Sequence, residues 1–351
     1  MSTKLQHSDE IFMQRCLQLA QKGLGKTYPN PLVGCVVVHN QKIIGEGWHQ
    51  AAGSPHAEVH AIAAVENKDL LSEATLYVNL EPCNHHGKTP PCVDLILKYH
   101  LKKVVIGSLD PNPIVAGTGV ARLRENNCEV RDGILEKECA EINRRFFTYH
   151  TQKRPYILLK WAESQNGYIA PNSAVKEREV FWLSDSYSQQ LVHQWRSEEQ
   201  SILVGINTVK TDNPKLSVRK WTGKNPIPIV LDPTQQLHDE DALFHHQKLI
   251  HVSAQELAMA SNSTTFNFPE MLTYLYNQNI QSVLVEGGAF TLQQFIDAQL
   301  WDEIRLLKTA SELSEGVLAP KIRAQPLKKV SLQKDALHLF RNKALMPQTN
   351  F

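Results

Sequence analysis

Apolar positions recur along this chain with two different periods. Over residues 9–22, DEIFMQRCLQLAQK, the residues Phe12, Cys16 and Ala20 stand four apart behind Ser8 and Asp9, which predicts an amphipathic helix with a cap. PNPLVGCVVV then predicts a turn and a buried strand around Val33–Val38, with a partner strand over Ile43–Trp48. A helix in SPHAEVHAIAAVE, a strand over Thr75–Leu80, a helix in PPCVDLILKY and a strand over Lys103–Gly107 follow. At residues 149–154 the polar run YHTQKR precedes Pro155 and a new apolar run, YILLKW, so a domain boundary is expected here, with domains 1–150 and 151–351. Beyond it the pattern predicts strand 156–161, helix 185–196, strands 201–204, 227–231 and 248–252, helix 269–278, strand 282–286, helix 289–299 and strand 303–308. Strands alternating with helices in both halves predict α/β layers with helices covering each sheet.

Length agrees with two domains, since 351 residues exceed the about 250–300 at which single cores stop growing. A formal net charge of +1 supplies no field to draw the chain to nucleic acid or an anionic membrane, so neither partner is expected. No apolar run approaches the roughly 18 residues of a membrane span. The start, MSTKLQHSDE, lacks the apolar stretch of a signal peptide, and a cytoplasmic location is expected. Cys16, Cys35, Cys83, Cys92, Cys128 and Cys139 all lie in the first half, so the two halves are expected to differ in chemistry.

The chemistry concentrates in His56-Ala57-Glu58 and in Pro82-Cys83 with Cys92. One imidazole and two thiolates suit zinc, and three protein ligands leave a fourth position for water, whose pKa such a centre lowers to about 7. Glu58, two residues after the histidine, is placed to carry a proton from that water to a departing amine. Ser54 is expected to cap a helix starting at Pro55, and Thr89 with Pro90 to open a second, so that His56, Glu58 and Cys92 fall in first turns whose positive ends favour thiolate. A structural zinc site, with His85 or His86 as fourth ligand, is the alternative, and His60 could be a second imidazole on the same helix face. The other four cysteines read as small buried apolar residues.

At these residues the chain resembles the zinc cytidine deaminase-like superfamily. Eight residues, NHHGKTPP, separate Cys83 from Cys92, where the generic signature has two. EPCNHHGKTPPC, with TYPNPLVGCVVV, GWHQAAGSPHAE and DPNPIVAGTGV in the same order, resembles the bifunctional deaminase-reductase family of riboflavin biosynthesis. The resemblance implies a diaminopyrimidinone ribosylamino phosphate as substrate and an aminouracil as product. It implies His56, Cys83 and Cys92 as zinc ligands, Glu58 as proton donor, and Asn30, His49, His85, Lys88, Asp110 and Asn112 as contacts to base, ribose or phosphate. His85 and Lys88 bring potential positive charge suited to a phosphate.

The second half is less informative by itself. VEGG at 285–288 ends one predicted strand and opens a helix, where backbone amides could face a phosphate, although it is not the dinucleotide fingerprint. LKWAESQNGYIA, FWLS, HQWR, ILVGINTVKTDNPKLSVR and VEGG resemble, in order, the reductase half of the same family, which implies a dihydrofolate reductase-like fold. Ala162, Trp182, Thr208, Asp212 and the stretch Gly288, Ala289, Phe290, Thr291, Leu292, Gln293 and Gln294 match NADPH-contacting positions. Val180, Arg196, Leu216, Arg219 and Glu286 match substrate-contacting positions, and an arginine fork suits the ribose phosphate. Val180 stands where the family commonly has a serine, and Gln165-Asn166 where it has Leu-Asp. The implied second reaction is hydride transfer from NADPH to the opened ribose, and the implied assembly is a homo-oligomer, a dimer first. Two other readings share features of the sequence: a nucleic-acid base deaminase with an appended binding domain, and a non-catalytic zinc-stabilised interaction protein.

Overall fold

The computed structural model describes residues 2–86, 90–113, 115–172, 181–245, 248–257 and 267–345. The chain divides into two compact units, the first running to Gln152 and the second starting at Lys153.

The first unit contains α1 (Ser2–Gln21), β1 (Gly34–His39), β2 (Lys42–Trp48), α2 (Ala57–Ala64), β3 (Thr75–Leu80), α3 (Cys92–Lys98), β4 (Lys103–Ser108), α4 (Thr118–Glu125), β5 (Glu129–Arg131), α5 (Glu136–Ile142) and α6 (Arg144–Gln152). Among the described residues the strands form one sheet in the order β2-β1-β3-β4-β5, antiparallel around β1 and parallel from β3 to β5. Its middle strands are buried on both faces, which explains their unbroken apolar runs. Cys35, Val37, Leu76, Val78, Val104 and Ile106 point to the side covered by α2, α3 and α4. Val36, Val38, Tyr77 and Val105 point to the side covered by α1 and α5. This alternation of period two through consecutive residues makes a three-layer unit.

One local expectation is corrected. Ser54 does not cap α2; its hydroxyl donates to the Ala51 carbonyl (2.6 Å) and accepts from the Ala51 N–H (3.1 Å), closing a turn, and His56 is the N-cap. Serine's short side chain binds neighbouring backbone as readily as a helix start, so the turn wins. The polar run at 149–154 holds the end of α6, whose buried residues are Arg145, Phe147 and Thr148, and the division between the two units falls within it. Thr89 lies outside the described residues, and Cys92 is the first residue of α3 with Pro91 as N-cap.

The second unit contains β6 (Tyr156–Glu163), β7 (Tyr168–Ala170), α7 (Ser186–Glu198), β8 (Ser201–Gly205), α8 (Ile206–Asp212), β9 (Ile227–Leu231), β10 (Ile250–Val252), α9 (Phe268–Asn277), β11 (Ser282–Val285), α10 (Ala289–Asp297), β12 (Glu303–Lys308), β13 (Val317–Leu318), β14 (Lys328–Leu332) and β15 (Asp335–Arg341). Its main sheet runs β10-β9-β8-β11-β6-β12-β15-β14, parallel as far as β12 and antiparallel at β15 and β14. One face packs on α9 and α10 through Met271, Leu272, Leu275, Leu292 and Phe295, and the other packs on α8 through Ile206 and Val209. No helix among the described residues is long and apolar enough to cross a membrane.

The helix that carries His56 and Glu58 is seated on a glycine strand. A Cβ at Gly47 in β2 would stand 2.4 Å from His60 Cβ, 2.6 Å from the Ala61 nitrogen and 2.9 Å from the Ala57 oxygen. Gly47→Ala should therefore force α2 off the sheet and cost about 1–3 kcal/mol, read as a lower urea midpoint of unfolding. An unchanged midpoint would show that this contact is not close.

Candidate functional site

The carboxyl end of β3 and the starts of α2 and α3 meet at one point. His56 precedes α2 in extended backbone, Cys83 follows β3 by three residues, and Cys92 opens α3. His56 Nδ1 lies 3.5 Å from Cys83 Sγ and 3.3 Å from Cys92 Sγ, and the three ligand atoms all lie within 4.8 Å of one another. Tetrahedral zinc with bonds of about 2.0–2.3 Å separates neighbouring ligands by about 3.5 Å, so the donor set and its spacing fit that ion. Among the described residues no fourth histidine, cysteine or carboxylate joins the group. His85 and His86 are exposed, and His60 belongs to the contact with β2 instead.

Backbone groups fix Cys83. Its sulfur accepts from the Cys92 N–H (3.3 Å) and its carbonyl from the Val93 N–H (3.3 Å), both from the first turn of α3. Hydrogen bonding with the Cys92 side chain holds the Cys83 thiol well below its ordinary range, against the upward push of burial. Glu58, in the first turn of α2, is shifted the opposite way. Burial, reinforced by the negative charge of Cys83, raises it to about 7, where a carboxyl group can both take and give a proton.

Asn30 and His49 stand beside this centre as a pair. The Asn30 amide lies 2.9 Å from His49 Nε2, and His49 Nδ1 lies 3.1 Å from the Pro55 carbonyl. Because the amide nitrogen can only donate and the carbonyl only accept, His49 carries its proton on Nδ1 and is neutral, and burial lowers its pKa in the same sense. The His49 ring meets the His56 ring edge-on, with centroids 5.6 Å apart. Asp110 follows β4, and burial raises it to about 6; its Oδ1 accepts from the Asn112 N–H (2.8 Å). Lys88 lies outside the described residues.

In the second unit the expected residues gather at the carboxyl ends of adjacent parallel strands, the usual ligand position in such sheets. Gly205 ends β8, and Gly287 and Gly288 lead from β11 into α10. A Cβ on Gly205 would stand 2.7 Å from Thr291 Oγ1, and one on Gly287 3.0 Å from the Gly205 nitrogen. The two strand ends thus approach with backbone alone, a cradle that any side chain would fill. The Gly288 N–H donates to Thr208 Oγ1 (3.0 Å), which joins α8 to α10. Asp212 ends α8, and burial raises its pKa. In α10, Phe290 is exposed, Thr291 and Leu292 are buried, and Gln293 accepts from the Lys321 N–H and donates to Asp297; Ala289 and Gln294 complete the stretch. Trp182 is half exposed with Lys220 Nζ 5.3 Å from its ring, and Ala162 lies on β6 against the Val192–Trp195 cluster.

Arg196 is held by two partners. Its Nε and Nη2 both donate to Glu286, at 2.8 Å each, and Nη1 to the Ser217 carbonyl, so its fork is oriented by a carboxylate. Burial opposes ionisation of Glu286, but the charges of Arg196 and Lys160 outweigh it and hold the group at about 2. Lys160 Nζ lies 3.8 Å from Glu286 Oε2. Arg219 is exposed, its N–H donating to His193 Nδ1, and Leu216 is buried with φ 49°. Val180 lies outside the described residues, whereas Asn166 keeps an acceptor where the family has aspartate: its Oδ1 accepts from Ser164 (2.8 Å). Lys160, His193 and Glu81 were not singled out from sequence. Lysine inside the apolar run YILLKW was an available signal, and so was glutamate directly before Pro-Cys.

Comparison with known proteins places this geometry. Residues 6–108 match the cytidine and deoxycytidylate deaminase zinc-binding region, and residues 155–310 match the RibD C-terminal domain. The chain is 40% identical over 326 residues to the riboflavin biosynthesis protein RibD of Aquifex aeolicus, covering 88% of this chain and 89% of that one. It is 41% identical over 322 residues to RibD of Escherichia coli K12, with 84% and 86% covered. A Thermotoga maritima structure described as a diaminohydroxyphosphoribosylaminopyrimidine deaminase/5-amino-6-(5-phosphoribosylamino)uracil reductase superposes with a TM-score of 0.83 at 36% identity, covering 96% of this chain and 99% of that one. Acinetobacter baumannii RibD gives 0.85 at 32% identity, with 96% and 99% covered. The chain belongs to the RibD family of riboflavin biosynthesis proteins, with a cytidine and deoxycytidylate deaminase zinc-binding region followed by a RibD C-terminal domain.

Proposed function

We propose that the first unit deaminates the diaminopyrimidinone ribosylamino phosphate and that the second reduces the ribosyl chain of the resulting aminouracil to ribityl with NADPH. The observation that carries this reading is the convergence of His56, Cys83 and Cys92 beside a buried carboxyl group raised to about 7. These three residues would hold zinc, which when bound acts as a Lewis acid and lowers the pKa of water. Glu58 is the proton carrier, taking a proton at the start of the reaction and delivering it to the departing amine. Neutral His49 and Asn30 form a fixed wall for the base, and Asp110, Asn112, His85 and Lys88 take the ribose and phosphate. The long insert between the cysteines supplies His85 and Lys88.

In the second unit the nicotinamide cofactor supplies the reducing equivalent. Thr208, Asp212 and Gly288–Gln294 take its phosphates and sugars in the glycine cradle, with Ala162 and Trp182 beside them. Glu286 orients Arg196, and with Leu216, Arg219 and Val180 these residues hold the substrate. Residence in the cytoplasm and assembly as a dimer belong to the same reading; the first is supported by the ligand set, since the thiol groups of Cys83 and Cys92 persist where disulfides do not form.

Two outcomes test the assignment. Glu58→Gln should lower deamination, read as ammonia release, by about 10²–10⁴-fold while zinc stays bound, and turnover within a few-fold of the parent would remove Glu58 from the chemistry. For Glu286, a pKa of about 2 against an ordinary 4.5 means stabilisation that is complete above 4.5 and lost as pH falls toward 2. Glu286→Gln should cost on the order of 3 kcal/mol at neutral pH, abolish reduction, and flatten the decline in stability between pH 4.5 and 2; an unchanged acid limb contradicts the ion-pair account.

A further inference from the structure

We propose that Glu81 is a positioning residue that fixes the substrate loop, from Asp110 to the start of α4, against the turn carrying Cys83. The proposal rests on the reading above in one respect, that Asp110 and Asn112 meet the substrate.

Glu81 follows β3 directly, is buried, and continues the ladder to β4 through its N–H, which donates to the Ser108 carbonyl (2.9 Å). Its carboxylate takes four backbone N–H groups. Oε2 accepts from Asp110 (3.2 Å) and Gly117 (2.9 Å), and Oε1 from Gly119 (2.9 Å) and Val120 (3.3 Å). All four donors lie 29 to 39 residues along the chain, so the side chain ties together two distant segments. The need for it is local. Gly117 is the N-cap of α4, in left-handed backbone (φ 76°), and has no side chain with which to satisfy the first N–H groups of the helix. Glu81 satisfies them from outside, where the helix start favours negative charge.

The other side of Cys83 is gripped by the same helix. Asn84 Nδ2 donates to the Thr118 carbonyl (3.2 Å), and Arg122 Nη1 donates to Asn84 Oδ1 (2.8 Å). Between these two grips Gly119 packs against Pro82, where a Cβ would stand 2.3 Å from the carbonyl oxygen and 3.2 Å from Glu81 Oε1. Within the loop, Asp110 Oδ1 accepts from the Asn112 N–H, and the Asn112 carbonyl accepts from Val115 (2.8 Å) and Ala116 (2.9 Å), so the anchor at the Asp110 nitrogen acts on Asn112 through these bonds. Cys83 does not depend on Glu81 alone, because the first turn of α3 holds both its sulfur and its carbonyl. Loss of the carboxylate therefore releases the loop before it releases the metal ligand.

Glutamine at position 81 is the sharpest probe. Whichever oxygen becomes NH2 then faces two N–H donors, and no rotation of the amide relieves both. Using the full-length zinc-loaded protein, Glu81→Gln should raise KM for deamination by about tenfold or more, with kcat within about threefold, zinc still at one per chain, and reductase turnover of the same preparation unchanged. Glu81→Asp, which keeps two acceptor oxygens, should recover part of the KM. Gly119→Ala, which pushes the helix start away from Pro82, should give the same KM rise and stands in if Glu81→Gln does not fold. An unchanged KM in the folded variants, or a fall in kcat or zinc content with KM unchanged, overturns the proposal, since the latter places Glu81 at the metal alone. Asp110→Ala and Asn112→Ala, measured alongside, separate the two claims. If they leave KM unchanged, the loop does not meet substrate; if they raise it and Glu81→Gln does not, the positioning role is wrong.

Discussion

The first unit is built around the difficulty of keeping negative charge inside protein. Cys83 and Glu58 lie close enough for the charge of one to act on the other, and their environments drive them in opposite directions. Hydrogen bonds from the Cys92 side chain and backbone favour the thiolate at Cys83, while burial and that same negative charge favour the protonated form of Glu58. In the proposed reaction, groups pushed apart in this way would divide the labour of acid–base chemistry, one staying anionic as a ligand and the other free to exchange a proton. The fold supplies this by ending β3 between two helix starts, each contributing its N-terminal backbone groups to the same point.

The second unit solves a different electrostatic problem. Glu286 leaves the end of β11 in an almost closed environment and stays ionised because Arg196 and Lys160 converge on it from α7 and β6. The cluster costs desolvation on all three groups, and its geometry, a two-point arginine–carboxylate pair, is what offsets that cost. It leaves a fixed, charged edge next to the glycine cradle formed by Gly205, Gly287 and Gly288.

Much of this was legible in the chain. The strands at 75–80, 227–231 and 303–308 fall where predominantly apolar runs predict them, because a strand covered on both faces buries nearly every position, including Asn79, Glu303 and Arg305. The metal group was legible because its residue types are chemically narrow. Less local features were not. Ser54 was read as a helix cap, but a hydroxyl's choice between turn and helix depends on distances no pattern shows. That Arg196 pairs with Glu286, 90 residues along the chain, was not foreseen, although both were singled out. Glu81 escaped notice for the same reason: its partners are backbone N–H groups, which every residue but proline has, so no residue type announces them. The short α5 and α6 were missed because they span only seven and nine residues and are rich in charged and polar side chains.

The central claim is that three protein side chains of two kinds, and no fourth, hold the metal. X-ray absorption at the zinc edge of the full-length protein, purified without added metal, tests it most directly. The account predicts two sulfur scatterers at about 2.3 Å and two light scatterers at about 2.0–2.1 Å, only one of them showing the outer-shell pattern of an imidazole. Two imidazoles, a third or fourth sulfur, or a preparation free of zinc would contradict it.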